Sequence, residues 1–224
     1  MSARAPAPPP PAPFPVILAG PSGAGKTTLR DRLLADPGTA KYLFSVSMTT
    51  RSPRTGEVDE VDYRFVSRDE FDAIVARGAM LEYATVHGER YGTPRDTLKR
   101  ARKAGAHLLL DIDVQGTRQV RDAVPEAVSI FIVPPTAERI VRQLRGRGSE
   151  TPTQLERRLA GARSELEAAG EFDYLVVNDR LGEAAAAVSS IVTGSGGMAR
   201  RLGAAEREYV ERIIGELDRV RRMW

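Results

Sequence analysis

The sequence predicts an α/β fold in three layers, with a parallel core sheet covered by helices on both faces. Three short, almost wholly apolar runs, 16–19, 108–112 and 128–133, read as strands buried on both sides. Each is followed by a stretch of helical character, and this alternation requires parallel pairing through crossover helices. The chain has 224 residues, 42% hydrophobic and 28% charged, which is enough for one core-bearing domain with a small insertion.

The elements follow in order. Residues 1–14 open a proline-rich leader: seven of the fifteen prolines fall within the first fifteen residues. With little apolar surface to bury, this stretch is expected to be disordered and to sample extended polyproline conformations. Val16–Ala19 is the first strand, and the helix after it runs through Leu29, Leu33 and Leu34 until Pro37-Gly38 stops it. Further strands are expected at 44–48, 63–66, 81–86, 108–112, 128–133 and 174–177. Helices are expected near 69–77, 94–104, 114–123, 136–146, 152–169 and 181–193. The shorter, more polar strands between 44 and 92 read as an inserted lobe. After the joint Gly194-Ser195-Gly196-Gly197, residues 204–224 are helical, with Val210, Ile213, Leu217, Val220 and Trp224 forming one apolar stripe. That stripe would dock on its own domain or meet a second copy or a partner helix.

Composition excludes several function classes. A net charge of +3 is too balanced to make nucleic acid or an anionic membrane the default partner. With no cysteine there is no disulfide, thiolate metal site or cysteine nucleophile, which suits a reducing cytosol, so a cytoplasmic protein is expected. The two histidines, His87 and His107, are too few for a histidine metal cluster and read as structural. No apolar run approaches the roughly 20 residues of a membrane span, and the first fifteen residues lack the apolar stretch of a signal peptide.

Gly20-Pro21-Ser22-Gly23-Ala24-Gly25-Lys26-Thr27 fits G-x-x-x-x-G-K-[ST] without a mismatch. In such a loop successive backbone N–H groups turn inward around phosphate oxygens, and the next helix adds its positive N-terminus. Lys26 would reach the β- and γ-phosphates, and the Thr27 hydroxyl would ligate Mg²⁺. Thr28 completes the segment expected to bind ATP. The apolar strand 108–112 brings Asp111 to the carboxyl edge of the sheet, where the loop and its metal would lie.

What accepts the phosphoryl group is less direct. Arg51 and Arg54 stand three residues apart, and guanidinium forks suit bidentate capture of a phosphate. Tyr63 and Tyr91 could donate phenolic hydrogen bonds to the same anion, and Glu82 could pair with the N–H edge of a guanine. Taken singly, each also reads as a solvated arginine or a core tyrosine.

Taken together, GPSGAGKTT, SVSMTTRSPRTGEVDEVDYRFV, EYATVHGERYGTP, LLLDIDVQG, RGRGSE and VVND resemble guanylate kinase in type, order and spacing. The resemblance covers about 15–195 and fades in the tail 196–224. It implies a five-stranded parallel core, a GMP-binding lobe at about 45–93 and a mobile helical lid at about 139–163. It further implies that Arg51, Arg54, Tyr63 and Tyr91 hold the phosphate of GMP, and that Ser47, Glu82, Thr93 and Asp113 recognise the guanine. Asp111 would lie near Mg²⁺ and its waters. Of the lid arginines Arg145, Arg147, Arg157, Arg158 and Arg163, it selects Arg147 and Arg158 to close over the ATP phosphates. Lys26, Arg51, Arg147 and Arg158 would then be the catalytic set. One departure is Gln143, where the family often has arginine.

The implied reaction is ATP-dependent phosphorylation of GMP, and of dGMP, to the diphosphate. It needs no nucleophile–base pair, because a phosphate oxygen is already ionised at neutral pH. Two other readings stand beside it: a guanylate-kinase-like module that binds a phosphorylated partner without catalysis, and a related sugar-phosphate kinase. Lys26, Thr27, Arg51, Arg54 and Asp111 argue against the first, and Ser47 with Glu82 against the second. A homo-oligomer through the C-terminal helix is a further expectation.

Overall fold

The structure, a computed structural model, describes residues 12–36, 40–86, 88–145, 152–194 and 200–222. The expected leader lies mostly outside these residues. The chain opens with strand β1 (Pro15–Ala19), which is buried along its whole length and lies at the centre of a six-stranded sheet. Its neighbours are β7 (His107–Asp111) and β8 (Val128–Val133); β2 (Tyr42–Phe44) lies beyond β7 and β9 (Tyr174–Val177) beyond β8. These five strands run parallel, and β10 (Arg200–Arg201) joins the β9 edge antiparallel.

Alternation along β1 divides the core. Val16 and Leu18 face α1 (Lys26–Ala35) and α7 (Leu181–Thr193), whose Leu29, Leu33, Ala184 and Val188 are buried against them. On the other face Ile17 packs with Leu98 of α3 (Arg95–Lys103) and Val120 of α4 (Val114–Ala123). Beside them α5 (Ala137–Arg145), α6 (Pro152–Glu167) and α8 (Ala204–Arg222) bury their apolar stripes over Phe131, Val133 and Leu175. Helices on both faces satisfy strands with no polar side, giving the expected three layers.

The C-terminal helix docks on its own chain. Val210, Ile213 and Leu217 lie in the same core as Ile140 and Leu144 of α5 and Leu159 and Leu166 of α6. Glu216 accepts a hydrogen bond from the Ala137 N–H at 3.1 Å, Asp218 pairs with Arg163 at 2.9 Å, and Arg221 pairs with Glu156. The described part of the stripe therefore docks on its own domain, the first of the readings the sequence offered, and Trp224 lies outside the described residues.

Between β2 and α3 the chain builds a separate four-stranded sheet, ordered β4 (Arg64–Phe65), β3 (Met48–Thr49), β6 (Glu89–Pro94), β5 (Met80–Val86). Helix α2 (Arg68–Ala76), capped by the Ser67 hydroxyl, covers it with Phe71 against Met48 and Met80. The single strand expected at 44–48 is two strands in two sheets. Ser45 still donates its N–H to Leu109 O at 3.0 Å, and by Ser47 the backbone is bonded to Arg64 instead. Strand β6 was not anticipated, nor was β10.

Candidate active site

Ligands in open parallel sheets bind beyond the carboxyl ends of the strands, and β1 delivers the glycine-rich loop there. Gly20 has φ +140°, and a Cβ on it would lie 2.1 Å from the Ile132 carbonyl of β8, so no other residue fits. Gly25, at φ +81°, turns the chain into α1, whose first turn carries no acidic side chain. The N–H groups there keep their positive field for an anion. From the end of β9 the buried Asn178 donates through Nδ2 to Ala24 O at 2.8 Å and Gly25 O at 3.4 Å, bracing the loop from behind. Gln143 of α5 backs Gly23, so the departure from the family pattern lies against the phosphate loop.

Lys26 Nζ is folded onto the loop, donating to Gly20 O at 2.7 Å and Pro21 O at 3.4 Å. Thr27 and Thr28 are exposed on the first turn of α1. Ser22 is also exposed, and its N–H donates to Glu165 Oε2 of α6 at 3.1 Å. Burial raises the Glu165 pKa, an effect opposed by the charge of Lys26 and reinforced by Asp113 and Asp111. Asp111 ends β7 beside Leu18. Burial raises its pKa too, against the charges of Lys26 and Arg30. The Thr27 hydroxyl and Asp111 carboxylate are hard oxygen donors, and no group of three or more His, Asp or Glu gathers among the described residues. Such a sparse oxygen set fits Mg²⁺, which keeps waters and substrate phosphate oxygens among its ligands.

The second sheet carries another anion-competent cluster. Arg51, just past β3, lies with its guanidinium 5.4 Å from the Tyr63 ring centroid and 5.8 Å from that of Phe65. Tyr63 and Tyr91 meet edge-to-face at 5.9 Å. Arg54 is exposed three residues on. Burial raises the Tyr63 pKa and the charge of Asp111 adds to it, so this cluster lies within electrostatic reach of the end of β7.

Glu82 of β5 is 4% exposed, and its register partner is Thr93 of β6. Burial pushes its pKa up to about 7; the Thr93 hydroxyl opposes the shift and the charge of Asp113 adds to it. Asp113 also caps α4, with Oδ1 accepting from Gly116 N–H at 2.7 Å. Ser47 is half-buried where the chain enters the second sheet.

Among the lid arginines, Arg158 is half-buried on α6, while Arg147 lies outside the described residues. Arg163, also considered from sequence, is paired with Asp218 of α8 and Glu167. His107 Nδ1 accepts from Phe14 N–H at 3.4 Å, and His87 lies outside the described residues. Three residues given no role from sequence are Glu165, and Asn178 and Glu57, which lie within the quoted motif segments. Asn178 and Glu165 meet the loop across 154 and 143 positions, a pairing that spacing along the chain does not reveal.

A parallel sheet whose central strand runs into a G-x-x-x-x-G-K-T loop and a helix defines a phosphate-loop protein. The family profile described as guanylate kinase matches residues 13–195. The guanylate kinase of Corynebacterium efficiens is 44% identical over 182 residues, 80% of this chain and 95% of that protein. That of Thermus thermophilus is 44% identical over 209 residues, 92% of this chain and 94% of that one. A match over 92% of this chain reaches beyond residues 1–195, so similarity continues into the tail, where the sequence alone left it fading. The crystal structure of guanylate kinase from Anaplasma phagocytophilum superposes with a TM-score of 0.67 at 32% identity, covering 89% of this chain and 94% of that one. This chain belongs to the guanylate kinase family.

Proposed function

We propose that the protein transfers the γ-phosphoryl group of ATP to the phosphate of GMP, and of dGMP, giving the nucleoside diphosphate and ADP. The observation that supports this is an Arg51–Tyr63–Tyr91 cluster and a buried Glu82 in a chain that also carries the glycine-rich loop and belongs to the guanylate kinase family. A GMP phosphate oxygen bonds to Pγ as the bond from Pγ to the β,γ-bridging oxygen breaks, and the leaving ADP keeps that electron pair. The attacking oxygen is already ionised, so the protein's task is alignment and neutralisation of charge. The loop N–H groups and Lys26 hold the ATP phosphates; Arg51, Arg54, Tyr63 and Tyr91 hold the acceptor. Glu82 accepts from the guanine N–H edge, with Ser47, Thr93 and Asp113 around it. Arg158 on α6, and Arg147 outside the described residues, would cover the triphosphate and exclude water. Thr27 and Asp111 would hold Mg²⁺, Asp111 through water, and the ion would neutralise the β- and γ-oxygens.

The non-catalytic reading loses support because a module that only docks partners has no use for Lys26 and Thr27 on a braced loop. A sugar-phosphate acceptor would leave the buried Glu82 without a donor edge. No described helix is long and apolar enough to cross a membrane, and a cytoplasmic location agrees with the chemistry. Contact between copies would fall on surfaces other than the occupied stripe of α8. The test is ADP release from ATP with GMP, dGMP, AMP, UMP or a sugar bisphosphate as acceptor. Strong acceleration by GMP and dGMP alone is expected; no acceleration by GMP overturns the proposal.

A further inference from the structure

The Arg51 guanidinium is not free in its cluster. Glu57 takes both ends of its fork: Nη1 donates to Oε2 and Nη2 to Oε1, each at 2.9 Å. Nη1 also donates to the Ser52 carbonyl at 2.7 Å, so both of its hydrogens are engaged. The pair is well covered, with side chains 14% and 19% exposed, and Arg51 lies against two aromatic rings. Nε, by contrast, is buried with no hydrogen-bond partner among the described residues.

A guanidinium offers two bidentate edges, end-on through Nη1 and Nη2 and side-on through Nε and Nη2. Glu57 fills the first, and the orphaned Nε–H belongs to the second. A buried donor without a partner is costly unless something arrives to accept from it. Glu57 does one thing more. Its Oε2 accepts from the Arg54 N–H at 2.8 Å, while its own N–H donates to Arg54 O at 3.0 Å, closing the turn that carries the second arginine.

We infer that Glu57 is a positioning residue for acceptor binding: it grips the end-on edge of Arg51 and closes the Arg54 turn, so that the Nε edge is presented to the GMP phosphate. The inference rests on the reading of Arg51 as the acceptor-phosphate residue. The rival role for the same contact is a competing internal anion that GMP must displace, and the two roles predict opposite signs.

The test is steady-state kinetics of full-length Glu57→Gln, with Glu57→Ala beside it. Positioning predicts that E57Q raises KM for GMP about tenfold, with kcat at saturating GMP and KM for ATP within about threefold of the parent. Guanosine makes no phosphate contact, so its competitive inhibition constant should not change, whereas general damage to the lobe would move it. In an Arg51→Ala background, E57Q should shift KM for GMP by no more than about twofold, because the edge it orients is gone. A KM that falls or stays within about twofold in E57Q overturns the inference, as does a full E57Q effect in the absence of Arg51. Failure of the underlying reading would look different: Arg51→Ala itself would leave KM for GMP unchanged.

Discussion

Read as the acceptor for guanine, Glu82 would tie specificity to pH through a single buried carboxyl. Its pKa in the ligand-free protein is about 7, raised first by burial and then by Asp113. Accepting from the guanine N–H edge requires the ionised form, so GMP binding at neutral pH should release a fraction of a proton. Below pH 7 affinity should weaken, by about tenfold per pH unit once the carboxyl is mostly protonated. Calorimetry of GMP binding in two buffers of different ionisation enthalpy measures that proton, and Glu82→Gln should abolish it. The sign for stability follows from the same shift. A carboxyl with a folded-state pKa above its unfolded value favours the folded state when protonated, so ligand-free stability should fall as pH rises from 4.5 to about 7. At Lys26 the expectation concerns rate. Its ammonium already bonds Gly20 O and Pro21 O, and Lys26→Ala should lower kcat by orders of magnitude while circular dichroism stays native-like.

At the level of elements, the loop between β1 and α1 owes its shape to β8 and β9. Asn178→Ala removes the buried donor to Ala24 O and Gly25 O and leaves a carbonyl unsatisfied. It should cost about 1–3 kcal/mol in a urea titration and raise KM for ATP. What could be read from the sequence follows the same division. The strands 16–19, 128–133 and 174–177 and the helices 114–123 and 181–193 were legible because their apolar spacing is local and uninterrupted. Strand β6 was not, because Gly92 interrupts it and Pro94 reads as part of the following helix; a Cβ at Gly92 would come 2.9 Å from the Glu82 carbonyl, so the glycine is there for close strand packing. The passage through Ser45–Ser47 was hidden because one extended run feeds two sheets. The proposed phosphate-site residues are named by motif letters, whereas Glu57 is given no role from sequence. Its importance comes from the two oxygens meeting Arg51, a geometry that sequence does not carry.

On the scale of the whole molecule, the C-terminal helix is part of the hydrophobic core. Burying an aliphatic side chain contributes about 1.5–3 kcal/mol, and α8 buries Val210, Ile213 and Leu217 against α5 and α6. Truncation after Gly197 should therefore lower the melting temperature by about 10 °C or more, read by scanning fluorimetry. Below that transition GMP-dependent activity should persist, since α8 supplies none of the proposed site residues. A melting temperature equal to that of the full chain would contradict the packing.

The Glu216 carboxylate that receives the Ala137 N–H also sets an order of events during synthesis. Its partner lies 79 residues earlier in the chain. The ribosome makes every proposed site residue, and helices α5 and α6, before it makes the segment that fastens them. A nascent chain holding every proposed catalytic group would still expose the apolar faces of α5 and α6 until α8 emerges. For that interval the chain is open to chaperones and to aggregation, and a premature stop after Gly197 would make the interval permanent.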